Sequence, residues 1–142
     1  MAARALQIHR LSGTDLRIMT DTSLLLTARY TPRGRQFPRV DCWGYVLEVR
    51  RQLGFPPLPE LAGVFRDEAD TAARRVMPQL TECEAQEGAL ALCFVSGLLT
   101  HVGIVVTLNA QLYVTDCRPR CHAVFTPLRQ FRELNNNLRF MR

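Results

Sequence analysis

Ala89-Leu90-Ala91-Leu92-Cys93-Phe94-Val95 is an apolar run of strand length, Ser96-Gly97 is a turn pair, and Thr100-His101-Val102-Gly103-Ile104-Val105-Val106 is a second apolar run. Their spacing predicts two neighbouring antiparallel strands. The pattern continues downstream. Leu108-Asn109-Ala110-Gln111 reads as a hairpin connection, Leu112-Tyr113-Val114-Thr115-Asp116 as a third strand and Ala123-Val124-Phe125-Thr126 as a fourth. Pro127 to Phe131 leads into a last short element, and Asn135-Asn136-Asn137 marks a loop.

Upstream of this block the apolar period changes. Tyr45, Val46, Val49 and Leu53 recur at helical spacing, with Glu48, Arg50, Arg51 and Gln52 between them. Asp41 stands where a cap belongs, Gly54 where a helix ends, and Pro56-Pro57-Leu58-Pro59 forbids continuation. A helix from Asp41 to about Leu53 follows. A second helical region is expected over about 62–80, acidic early and basic late, with Pro78 set to end it. A short helix is expected from Ser23 to about Tyr30. Pro32, Gly34 and Pro38 make the segment before Asp41 a loop. Helices first and antiparallel strands after imply an α+β fold, the helices packed on one face of the sheet. The 142 residues suit a single domain spanning 1–142, in which the mixed residues 1–21 read as a peripheral arm.

Composition narrows the function classes. The net charge is +5, and all 18 basic residues are arginine. They are scattered, without an aromatic-interleaved basic stripe, so no specific nucleic-acid partner is expected. No apolar run reaches the ~18 residues of a membrane span, and the first residues lack the apolar core of a signal peptide. Synthesis in the cytoplasm without a signal peptide is the expectation. Five cysteines, Cys42, Cys83, Cys93, Cys117 and Cys121, form no CxxC pair. Cys117-x-x-x-Cys121-His122 lacks two further ligands at suitable spacing, so neither metal nor cofactor is expected.

The chemistry candidates are a thiol and an imidazole. Cys42 opens the helix capped by Asp41, and a helix N-terminus favours the thiolate and offers unpaired N–H groups to an oxyanion. His101 opens a strand and shares a face with Gly103, whose missing side chain is expected to leave space beside the ring. A nucleophile and base need a third group to orient the base. Thr115 and Asp116 lie near the far end of the next strand, and alternation lets only one of them face His101. The charged residue is the better orienter, which favours Asp116. A one-residue change of register would select Thr115.

Two segments also carry a resemblance. Asp41-Cys42-Trp43-Gly44-Tyr45-Val46 resembles the Asp-Cys-[Ser/Trp]-Gly-Leu-Val signature of the NlpC-type cell-wall cysteine peptidases, and His101-Val102-Gly103-Ile104 is similar to that family's His-Val-Gly-Ile strand. Gly88-Ala89-Leu90-Ala91-Leu92 resembles the Gly-Asp-Leu-Val strand before it, with Ala89 where Asp is usual. The resemblance implies a papain-like fold, N-terminal helices on a central antiparallel sheet, over most of the chain. It implies Cys42 as nucleophile, His101 as base and cleavage of peptide bonds in peptidoglycan stem peptides. Tyr30 corresponds to a tyrosine the family carries before its cysteine and near its active site. The Trp after Cys42 resembles versions found in phage tail-tip proteins and prophages. That implies tail proteins as partners, and a virion tail or non-classical export as the route to the wall. The family's third residue is usually His, sometimes Asn or Gln; residues 112–116 hold none of these, so Asp116 or Thr115 must serve. Two further readings remain: a structural or tail-assembly module without turnover, and an acyltransferase or deamidase using the same Cys–His pair.

Overall fold

The structure, a computed structural model, describes residues 21–61 and 69–142. The arm expected at the N-terminus, apart from Asp21, and the first part of the second helical region lie outside the described residues.

The fold is α+β. Helix α1 (Thr22–Leu25) is followed by three two-residue strands, β1 (Arg29–Tyr30), β2 (Arg35–Gln36) and β3 (Arg39–Val40). Helix α2 (Cys42–Leu53), helix α3 (Ala69–Val76) and a 3-10 turn (Met77–Gln79) come next. Strands β4 (Leu90–Val95), β5 (Leu98–Leu108), β6 (Gln111–Arg118) and β7 (His122–Pro127) lead to helix α4 (Leu128–Leu134) and strand β8 (Leu138–Met141). The main sheet runs β7-β6-β5-β4-β8, antiparallel throughout. Among the described residues no helix is long and apolar enough to cross a membrane.

Alternation on the central strands builds two cores. Leu90, Leu92, Val102, Ile104 and Val106 pack with Tyr45, Val46 and Val49 of α2. Ala89, Ala91, Val105 and Val114 point the other way and meet Phe131 of α4. The helices therefore cover both faces of the sheet, not one. The reason lies in Phe131 and the half-buried Leu128, which give α4 an apolar side of its own.

The helix expected to reach Tyr30 stops at Leu25 instead. The chain turns because Tyr30 and Arg29 pair in parallel with Val40 and Arg39 of β3, and this long-range ladder outweighs local helical preference. The second helical region ends at Val76 rather than Leu80, where Pro78 tightens the chain into the 3-10 turn. Strand β8 was not expected from the sequence. It is four residues long and is made by pairing with β4, from Leu90↔Met141 to Cys93↔Leu138.

Candidate active site

Helix α2 begins as its sequence dictates. The Asp41 carboxylate accepts from Gly44 N at 2.9 Å, and Cys42 takes the first helical position. Gly54 closes the other end in the left-handed region, its N–H reaching the carbonyls of Arg50 and Arg51. Gly44 is required by a close approach, since a Cβ there would collide with the carbonyl oxygen of Gly34. The loop before the helix is thus pressed onto its first turn, and Cys42 is held at a fixed point.

One residue in that loop gave no signal in the sequence. Arg35 donates to Asp41 Oδ1 at 2.6 Å, to Glu60 O at 2.6 Å, to Gly34 O at 3.0 Å and to Leu61 O at 3.1 Å. It ties residues 60–61 to the cap of the helix that carries Cys42. Trp43 adds a second tie, donating from its indole nitrogen to Pro59 O at 3.0 Å.

His101 comes from β5. Its cross-strand partner is Cys93, and the β4–β5 register shifts immediately afterwards, so that Phe94 pairs with Leu99 and Thr100 is left over. Strict alternation would turn His101 away from the α2 face that Val102 occupies. The bulge twists the strand at this point, and His101 and Val102 both line one cavity with Cys42.

The regular β5–β6 ladder ends at Ile104↔Thr115. One step beyond it the strands are joined through side chains, with His101 Nε2 2.8 Å from Asp116 Oδ2. The Asp116 carboxylate is 1% exposed. Gly103 makes this approach possible, but not by leaving space. A Cβ at Gly103 would sit 2.8 Å from Val114 Cγ1, 3.1 Å from Thr115 O and 3.2 Å from Asp116 Cβ. The expected gap beside His101 is filled by β6 itself.

Thr115 faces the other way. Its hydroxyl donates to Val124 O at 2.9 Å and lies 2.6 Å from Tyr45 Oη. With its one proton committed to Val124, Thr115 Oγ1 accepts from the Tyr45 hydroxyl. Burial pushes the Tyr45 phenol well above its ordinary pKa, so it keeps the proton it donates. The chain Tyr45–Thr115–Val124 fastens α2 to β6 and β7 and sets the register that turns Asp116 toward His101.

Charge is concentrated around the imidazole. Burial alone would lower its pKa, but the Asp116 hydrogen bond, reinforced by the Cys42 sulfur, raises it to about 9. Nε2 is engaged by Asp116, which leaves Nδ1 as the nitrogen for Cys42. Arg118, two residues beyond Asp116 and so on the same strand face, brings its Nε to 3.3 Å from Asp116 Oδ2. That distance gives attraction without hydrogen-bond alignment, since Arg118 Nε and Asp116 Oδ1 are both buried without a hydrogen-bond partner. Spacing of two from Asp116 was the available signal for Arg118.

The remaining candidates sit apart from this chemistry. Burial drives Cys93 and Cys117 up to about 12, so both stay protonated at neutral pH. Cys117 packs with its sulfur 3.8 Å from Val40 O. His122 accepts at Nδ1 from Tyr30 N at 3.0 Å, and among the described residues no cluster of three His, Cys, Asp or Glu side chains is arranged to hold a metal. Tyr30 lies beside Val40 in the β1–β3 ladder, two residues from Cys42, with its ring packed against the larger core.

The cavity that Cys42 and His101 share has a volume of about 60 Å³. One wall is β4 and β5; the other is α3 and the turn that follows it. Compared with protein-family models, with curated proteins and with solved structures, the chain finds no significant match.

Proposed function

We propose that this chain is a cysteine hydrolase of papain-like, NlpC-type fold that cleaves amide bonds, with peptidoglycan stem peptides as substrate and a phage-tail or prophage setting. The observation that carries the chemistry is the 2.8 Å contact between His101 Nε2 and the buried Asp116, on an imidazole that shares a cavity with the helix-start Cys42. The substrate and setting rest on the resemblance of Asp41-Cys42-Trp43-Gly44 and His101-Val102-Gly103-Ile104 to that family.

In this reading Cys42 Sγ attacks the carbonyl carbon, and the oxyanion is met by N–H groups of the first turn of α2, which have no intrahelical partner. His101, protonated below about pH 9, passes its proton to the leaving nitrogen as the C–N bond breaks. Water then attacks the thioester with His101 as base, releasing the acid and the free thiol. Asp116 is a positioning residue. It holds Nε2 and keeps the ring turned so that Nδ1 meets the sulfur. A module without turnover would need no group to orient His101, and the Asp116 contact favours the hydrolase over it.

Incubation with peptidoglycan fragments should release cleaved stem peptides, detected by mass, and Cys42→Ala should abolish the release. Equal release by Cys42→Ala would refute the mechanism. Transfer to an added amine in place of water would identify the acyltransferase chemistry instead.

A further inference from the structure

The cavity beside Cys42 says something about the acyl group that the resemblance does not. Its walls are aliphatic, with Ala73, Val76 and Met77 on one side and Leu92, Leu99 and Val102 on the other. Three charged residues reach the lining: Arg35 and Asp41, which neutralise each other at 2.6 Å, and the His101 imidazolium, whose charge is met by the buried Asp116 at 2.8 Å. Every nitrogen of the Arg35 guanidinium already donates: Nε to Glu60 O, one terminal nitrogen to Asp41 and Gly34 O, the other to Leu61 O. Each of these charges already has its partner, so none is left unpaired for a ligand. An ionised carboxylate placed in this space would lose its hydration without gaining a partner.

From these features we infer that the cavity is an acyl subsite for an uncharged aliphatic group of about three to five carbons, attached directly to the carbonyl that Cys42 attacks. The inference rests on the proposed role of Cys42. Position argues for the acyl side. After attack the acyl group stays bonded to Sγ, and Cys42 is part of the cavity's lining. Size argues for the length. A space of about 60 Å³ exceeds the ~10–15 Å³ that one water requires several times over, which suits a branched or short straight chain and not a long one. Burying each methylene there should raise specificity about fourfold. A branched aliphatic amino-acid residue and a short fatty acyl group share this chemistry.

The test uses the full chain and two reactions. In the first, kcat/KM is measured for p-nitrophenyl acetate, butanoate, hexanoate, decanoate and hemisuccinate, and for N-acetyl-leucyl, N-acetyl-alanyl and N-acetyl-glutamyl p-nitrophenyl esters. The inference expects a rise of about fourfold per methylene up to about five carbons, a plateau or fall at decanoate, and hemisuccinate no better than acetate. It also expects the leucyl ester to exceed the alanyl and the glutamyl to be poorest. If leucyl leads all substrates the source is a peptide, and if butanoate or hexanoate leads it is a fatty acyl group. Ala73→Leu, which fills the cavity, should flatten the series. In the second reaction, Cys42 is alkylated by N-alkyl iodoacetamides of increasing chain length and by iodoacetate, which needs no turnover. Length-dependent alkylation without ester hydrolysis supports the subsite and refutes the hydrolase. Ester hydrolysis with length-independent rates in both series, or a preference for hemisuccinate and iodoacetate, overturns the subsite and leaves the hydrolase standing.

Discussion

Asp116→Asn isolates the charge at the centre of the site. The amide is close in shape to the carboxylate, and its oxygen can still accept from His101 Nε2 where Asp116 now stands at 2.8 Å. Orientation is kept and the negative charge is removed. In the native protein the imidazole is raised from 6.5 to about 9, against the burial that would lower it. That difference corresponds to about 3 kcal/mol favouring the imidazolium, shared between Asp116 and the Cys42 sulfur. Removing an opposite charge at this range should lower the His101 midpoint by about one to three pH units. NMR titration of the ring protons reads this directly. Repeating it in Cys42→Ala removes the sulfur's share. Activity should follow: the loss relative to native protein should widen as pH rises toward about 9, because the variant imidazole has no proton left for the leaving nitrogen. The same interaction stabilises the fold. Since the folded value is the raised one, its contribution is complete below about 6.5 and disappears as pH rises through about 9. An unchanged His101 midpoint in Asp116→Asn would refute this account of the site.

Three further outcomes test the supports of the site. Thr115→Val strands the buried Tyr45 hydroxyl without its acceptor and should cost about 1–3 kcal/mol in urea unfolding, whereas Tyr45→Phe should cost about 0.5–1.5 kcal/mol, and the reverse order would contradict the hydrogen-bond chain. Gly44→Ala drives a methyl into the Gly34 carbonyl and should destabilise by about 1–3 kcal/mol, so an unchanged melting temperature would remove the close approach from the argument. Arg35→Ala removes the tie between residues 60–61 and Asp41, and limited proteolysis should then cut near residue 60 faster than in native protein; equal rates would show that Arg35 is no clamp.

How much of this was legible follows from where the forces act. Helix α2 was readable from Asp41 to Gly54 because its cap, apolar face and terminator are all local. Strands β4 to β7 were readable because each carries its own apolar run and turn, and Asn109 and Ala110 do adopt the positive φ values of a tight hairpin. What escaped was set by distant partners. Strand β8 exists through β4, and β1 through β3. Arg35 is one arginine among 18 until the fold brings three backbone carbonyls and a cap to it. The missing side chain of Gly103 suggests room for His101 in the sequence, but in the fold it lets β6 come closer.

The choice between Thr115 and Asp116 shows how that boundary works. Alternation in the sequence said that one of the two faces His101 but had no means of saying which, because register belongs to the pairing and not to the strand. The structure settles it from the opposite side of the sheet. Ile104↔Thr115 is the last regular pair of β5 and β6, and Tyr45 claims the Thr115 hydroxyl from α2. Tyr45 is one helical turn from Cys42, so the element that presents the sulfur also fixes the strand that presents the carboxylate. The position of Asp116 relative to Cys42 is therefore one geometric constraint rather than two. Substitutions at Tyr45 and Thr115 should disturb the titration of His101 as well as stability, although neither residue touches the ring. That coupling separates a register-setting role from simple core packing, which would move stability alone.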